Sequence, residues 1–237
     1  MLKLLVRLDF KKEAILMKVI KAKAVIFDMD GVTVDSEPNI MEAKQNVLHK
    51  YGVYKPLSYH FKFMGMSFRD IWAQTRQELD LPASTEQLMA EYFEEVAQVR
   101  AKNGLQSIAG TVEFIKALAQ NDFKLALASS SPLADIEEVL TTFGIKELFS
   151  AVISGAELAH PKPAPDIFLL AMEKLGVKAA ESLVVEDSVN GVKAGLAAGA
   201  QLLVFNDPRY NPNRQIEGVN LVTTMTNLKV GPEKISY

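Results

Sequence analysis

Short apolar runs recur along this chain, once near the start and then repeatedly in the second half. Ala24-Val25-Ile26-Phe27 is continuously apolar and stops at Asp28-Met29-Asp30-Gly31, the profile of a strand buried on both faces that opens into a loop. Similar runs are Lys124-Leu125-Ala126-Leu127-Ala128, Ala151-Val152-Ile153, Leu183-Val184-Val185 and Gln201-Leu202-Leu203-Val204-Phe205. Helical patterns separate them, at roughly 110–120, 133–143, 165–175 and 189–199. Strand alternating with helix predicts an α/β fold, a doubly wound parallel sheet with helices on both faces.

One connection breaks the rhythm. Nearly a hundred residues lie between the first of these strands and the second, whereas a strand-helix-strand crossover needs about 30. Segments 39–51, 69–80 and 85–103 read as amphipathic helices, the third capped by Ser84 or Thr85 and stopped at Asn103-Gly104. The chain is therefore expected to form a core from 17–33 and 106–237 and a helical cap domain from 34–105. Met17 begins a natural-looking start, so residues 1–16 are expected to be an N-terminal extension or a misassigned start, outside the mechanism.

Composition narrows the chemistry. The 237 residues contain no cysteine, which removes thiol nucleophiles, cysteine-ligated metals and disulfides and makes a reducing cytoplasm the default location. A net charge of −3 argues against a nucleic-acid surface, and no apolar run reaches membrane-spanning length. A small-molecule partner is expected; oligomeric state is not legible, and a monomer is compatible with the chain.

Open parallel sheets bind ligands at the carboxyl ends of their strands. Asp28 and Asp30 follow the first run, Ser129, Ser130 and Ser131 the second, Lys162 the third, and Glu186 and Asp187 the fourth. Singly, each is bland: an aspartate ends many turns, serines cap helices, and a lysine is usually a solvated charge. Together they suit a phosphate and a divalent cation. One carboxylate of the Asp28/Asp30 pair can attack phosphorus while the other exchanges a proton with the leaving oxygen. Carboxylates repel an anionic ester, so a cation must intervene, and an all-oxygen ligand set without a histidine cluster favours Mg²⁺. Lys162 and hydroxyl or backbone donors at Ser129 and Ser130 then neutralise the remaining phosphoryl oxygens. Glu186 and Asp187 face opposite ways as neighbours, so Asp187 is expected to bind the metal directly and Glu186 from behind it or through water. Gly191, Gly195 and Gly199 are expected to serve helix-sheet packing.

Asp28-Met29-Asp30-Gly31-Val32, Ala128-Ser129-Ser130-Ser131, Lys162-Pro163-Ala164-Pro165-Asp166 and Val185-Glu186-Asp187-Ser188-Val189-Asn190-Gly191 resemble, in order, the four motifs of the haloacid dehalogenase superfamily. The resemblance implies a Rossmann-like core with an inserted helical cap, Mg²⁺, and an aspartyl phosphate on Asp28, with Asp30 as acid and base and its main-chain carbonyl as a metal ligand. Asp35-Ser36-Glu37-Pro38 and Ser131-Pro132-Leu133 are similar to the 2-deoxyglucose-6-phosphate and hexitol phosphatases of the β-phosphoglucomutase-like branch. The mutases of that branch place a histidine where this chain has Ile40, and Lys-Asn where it has Pro132-Leu133, so the resemblance favours hydrolysis of a small phosphorylated sugar or polyol.

Gly65-Met66-Ser67-Phe68-Arg69 resembles the mutases' cap loop, which makes Arg69 and the hinge residue Glu37 candidate substrate contacts. Trp72, Met64 and Met66 are expected in the cap core, and no catalytic role falls to His49, His60 or His160. The alternatives are a hexose-phosphate mutase and a non-enzymatic phospho-acceptor module of the receiver kind.

Overall fold

The computed structural model describes residues 18–63, 66–210, 216 and 219–237. The expected extension over residues 1–16 and the cap-loop residues Met64 and Gly65 lie outside them. The elements are, in order, β1 (Val19–Lys21), β2 (Ala24–Phe27), α1 (Glu37–Lys50), α2 (Phe68–Leu79), α3 (Thr85–Asn103), α4 (Thr111–Gln120), β3 (Lys124–Ser129), α5 (Leu133–Thr142), β4 (Ala151–Ser154), α6 (Asp166–Leu175), β5 (Ser182–Glu186), α7 (Val189–Ala197), β6 (Gln201–Phe205), β7 (Asn220–Val222), β8 (Lys229–Gly231) and β9 (Lys234–Ser236), with a 3-10 helix at Leu57–Phe63.

Six strands form one parallel sheet in the order β4-β3-β2-β5-β6-β7. All four residues of β2 are buried because side chains leave it on both faces into a core. On one side Val25, Phe27, Leu127 and Val185 pack with Phe114, Ile115, Ile136 and Leu140; on the other Ile26, Ala128 and Val184 pack with Ile167, Phe168 and Val192. The chain steps outward from β2 to β3 and β4, then returns to β5 on the other side of β2. The carboxyl end of β2 is thus where the strand order reverses, the place at which such sheets open a binding crevice.

Sequence periodicity gives no warning of the second, antiparallel sheet of β1, β9 and β8 or of edge strand β7. Each has three residues, too few for alternation to register, and β1 and β9 each contribute one deeply buried residue, Ile20 and Ile235.

Between β2 and α4, α1 to α3 pack around Val47, Leu48, Trp72, Leu88 and Tyr92, a cluster of their own. Trp72 is in this cluster, as expected. Ser84, not Thr85, caps α3: its hydroxyl accepts from the Gln87 N–H at 3.2 Å while the Gln87 side chain accepts from the Ser84 N–H at 2.9 Å, a reciprocal cap. Gly104 stops the helix at φ 72°, in the region that favours glycine. No helix among the described residues is long and apolar enough to cross a membrane.

His60, on the 3-10 helix, is buried, and its Nε2 has no hydrogen-bond partner. Burial, reinforced by the nearby Lys44 and Lys62 charges, pushes its imidazole down to about 4. The folded state therefore keeps His60 neutral where the unfolded chain, titrating near 6.5, binds a proton, so stability held above pH 6.5 is lost as pH falls toward 4. Lowering the pH from 7 to 5 is expected to cost wild type about 1–2 kcal/mol more than it costs His60→Gln, measured by urea unfolding. Equal losses would remove His60 as the acid-sensitive group.

Candidate active site

Past Phe27 the chain leaves the strand and turns tightly, with the N–H groups of Val32, Thr33 and Val34 all donating to the Met29 carbonyl. Gly31 sits at φ 76°, and a Cβ there would stand 2.3 Å from Asp187 Oδ2, so glycine is required both by the backbone and by the carboxylate laid against it. Asp28 is anchored by its N–H to the Val185 carbonyl at 2.9 Å and by Thr33 Oγ1, which donates to the Asp28 carbonyl at 2.8 Å.

Lys162, between β4 and α6, ties three strand ends together. Its Nζ donates to Asp28 Oδ1 at 2.5 Å, to Glu186 Oε1 at 2.9 Å and to the Ala128 carbonyl at 3.4 Å, and it stands 4.7 Å from the centre of the Phe168 ring. Its side chain is 7% exposed, so this is a buried triad of one cation and two anions. Burial pushes the Asp28 carboxyl up to about 7, with Glu186 and Asp30 adding to the rise and Lys162 opposing it. Burial also works against the Lys162 ammonium, but the two carboxylates outweigh it and hold that group above its usual value.

Both Glu186 carboxylate oxygens are hydrogen-bonded. Oε1 accepts from Lys162, and Oε2 accepts from the N–H groups of Asp187 at 2.7 Å and Ser188 at 2.6 Å. It stands beside Lys162 and buttresses the entry to α7. Gly191 corrects the expectation of plain helix-sheet packing, since a Cβ there would lie 1.6 Å from Glu186 Oε1. Its absent side chain makes room for the carboxylate that positions Lys162. Gly195, against Leu202 and Val184, does serve packing.

Asp30 faces a different partner, Ser131 Oγ, which donates to Asp30 Oδ2 at 2.9 Å. Ser131 was present in the sequence motif but carried no signal separating it from its neighbours; only the fold brings it to Asp30. Ser129 is buried and its hydroxyl accepts from the Ser131 N–H at 3.1 Å, whereas Ser130 is exposed at the cleft. That cleft, about 470 Å³, has Met29, Asp30, Ser130 and Ser131 on the core side and Phe68, Tyr92 and Phe93 on the helical side.

The two cap candidates stand apart from its walls. Arg69, on α2, pairs with α3: Glu86 accepts from it at 2.9 Å in an exposed ion pair. Glu37 is half-buried at the start of α1; burial pushes its carboxyl up and the Lys44 charge opposes the shift.

The donor set fits a hard divalent cation. Asp28 and Asp187 bring carboxylates from separate loops, and the space kept open by Gly31 holds the second. No three His, Cys, Asp or Glu side chains gather into a metal cluster among the described residues. Further ligands would thus be main-chain carbonyl, water or phosphate oxygen, which suits Mg²⁺.

A family model described as haloacid dehalogenase-like hydrolase matches residues 25–205. A phosphorylated carbohydrates phosphatase from Thermotoga maritima is 33% identical over 179 residues, covering 76% of this chain and 82% of the relative. Hexitol phosphatase B from Escherichia coli is 32% identical over 199 residues, 79% of this chain and 87% of the relative. A crystal structure of a HAD family hydrolase from Deinococcus radiodurans, with bound phosphate and sodium, superposes with a TM-score of 0.73 at 28% identity, covering 86% of this chain and 91% of that one. On the extent of these matches and the order of its four motifs, the chain belongs to the haloacid dehalogenase-like hydrolase family.

Proposed function

We propose that the chain is a Mg²⁺-dependent phosphatase that hydrolyses a small phosphorylated sugar or polyol through an aspartyl phosphate. The observation that carries this reading is the Lys162 ammonium clamped between Asp28 and Glu186 at the switch point of the sheet, with Asp30 turned to the cleft. The names of the relatives, phosphatases of carbohydrates and hexitols, point to the same class of substrate.

Lys162 holds one oxygen of Asp28, which orients the other toward phosphorus. As the new O–P bond forms and the ester bond breaks, Asp30 gives its proton to the departing alcohol oxygen; Ser131, donating to Asp30, sets the direction of that transfer. Asp30, now a carboxylate, takes a proton from water, which attacks phosphorus, releases phosphate and restores Asp28. Lys162 and donors at Ser129 and Ser130 balance charge on the phosphoryl oxygens throughout. Mg²⁺, held by the Asp28 carboxylate, the Asp30 main-chain carbonyl and Asp187, would supply the positive charge that lets an anionic ester enter an acidic site.

A mutase must also seat a second phosphate. The cation of the cleft wall, Arg100, is engaged by Glu138 at 2.7 Å and Asp135 at 3.6 Å, which favours hydrolysis. A panel of hexose, pentose and hexitol phosphates is expected to yield free phosphate with Mg²⁺, the rate falling at least about 10²-fold on chelation. Faster conversion of β-glucose 1-phosphate to glucose 6-phosphate than to free phosphate, given a bisphosphate primer, would overturn hydrolysis. No release from any ester would return the chain to the phospho-acceptor reading.

A further inference from the structure

Among the described residues of its lining, the cleft carries two carboxylates, Asp30 and Asp135, and a single cation, Arg100. Arg100 comes from the last turn of α3 and Asp135 from the first turn of α5, so cap and core meet at this pair. Glu138, one turn further along α5, completes a fork around the guanidinium. Arg100 Nη2 donates to Glu138 Oε2 at 2.7 Å, while Nη1 stands 3.6 Å from Asp135 Oδ1, an ion pair too long for a hydrogen bond. The Nε of the same group is buried with no hydrogen-bond partner.

A guanidinium offers five donors in a planar fork, the geometry that takes a phosphate or carboxylate through two bonds at once. In this cleft its charge is already answered twice over, and Asp30 adds a further negative charge to the same lining. A second anionic group arriving from the cleft would meet a cancelled field and would have to displace Glu138 to reach the donors. The fork has little structural value to explain it, because the two carboxylates are 45% and 55% exposed and ion pairs in solvent contribute little to stability.

We propose that Asp135 and Glu138 are specificity-determining residues: they occupy Arg100, and so deny extra affinity to esters that carry a second phosphate or a carboxylate at the end away from the scissile phosphate. The proposal rests on the phosphatase reading for the place of the scissile phosphate, over Asp28, and adds which groups discriminate at the far end of the ester.

Fructose 1,6-bisphosphate against fructose 6-phosphate, and 6-phosphogluconate against sorbitol 6-phosphate, are two pairs that differ by an anionic group in place of a hydroxyl at the far end. Calorimetry on full-length Asp28→Asn with saturating Mg²⁺ reads binding without turnover. In that background the anionic member of each pair is expected to bind within about twofold of its partner or more weakly. Adding Asp135→Asn and Glu138→Ala is expected to raise the anionic-to-hydroxyl affinity ratio at least about tenfold in one pair or both. Adding Arg100→Met to those two changes is expected to remove the gain. Glu138→Ala alone is expected to raise the ratio several-fold and covers a folding failure of the double variant. A loosened cap would weaken both members of a pair alike and leave the ratio unmoved. A ratio unmoved in both pairs, or an anionic preference already present before the fork is cut, would overturn the proposal. So would a gain that survives Arg100→Met at about half or more, since that marks a general loss of negative charge. Failure of the wild type to release phosphate from any ester, with the ratio moving as expected, would instead sink the phosphatase reading and leave the role of Asp135 and Glu138 standing.

Discussion

Asp28→Asn is expected to lower phosphate release on the order of 10⁴-fold or more, with the melting temperature within a few degrees of wild type. The amide keeps the shape of the carboxyl and can still accept from Lys162, so the turn at Met29 and the packing around it have no reason to move. It lacks the nucleophilic oxygen, and no neighbouring group replaces it: Glu186 has both oxygens occupied and Asp30 is turned to Ser131. Loss of a buried charge even relieves part of the cost that pushes Asp28 upward, while Glu186 remains to pair the ammonium. Steady-state phosphate release and thermal unfolding on one preparation check both halves. Activity within tenfold of wild type would move the nucleophile elsewhere.

Lys162→Ala is expected to reduce kcat by about 10² to 10³, the usual effect of removing one preorganised donor from a developing negative charge. It should also cost about 3–5 kcal/mol of stability at neutral pH, because Asp28 and Glu186 would be left facing each other, nearly out of solvent, without the cation between them. The sign with pH follows. Without the ammonium the folded pair holds a proton more tightly than the unfolded carboxyls, whose ordinary values lie near 4. The variant's deficit is therefore largest above the raised folded value and shrinks as pH falls toward 4. Urea unfolding of variant and wild type at several pH values reads this directly. A near-normal kcat would remove Lys162 from the chemistry, and a deficit independent of pH would remove the two stranded carboxylates as its cause.

The parallel sheet was legible because its strands are short unbroken apolar runs and its helices carry a clear period: Ala24–Phe27, Lys124–Ser129 and Ser182–Glu186 fall where the pattern places them. The antiparallel sheet at the chain ends was not, since a three-residue strand such as Val19–Lys21 contains no repeat to detect. Among the candidate site residues, Asp28 and Lys162 could be named because strand ends are visible in sequence and the fold class says those ends converge. Their meeting at 2.5 Å across 134 positions is a property of the fold.

Sequence by itself determined the longer strands and the helices, the β2 turn, the residues offered at the sheet edge and the family to which they point. Those follow from local rules: the period of apolar residues, the need for glycine at a positive φ, and the order of motifs. Tertiary structure decided which of three consecutive serines touches Asp30, that Glu186 supports Lys162, that Arg69 is taken by Glu86, and that Arg100 on the cleft wall is taken by Glu138. Each depends on side chains contributed by segments distant in the chain, and local periodicity carries no record of which distant surfaces will be pressed together.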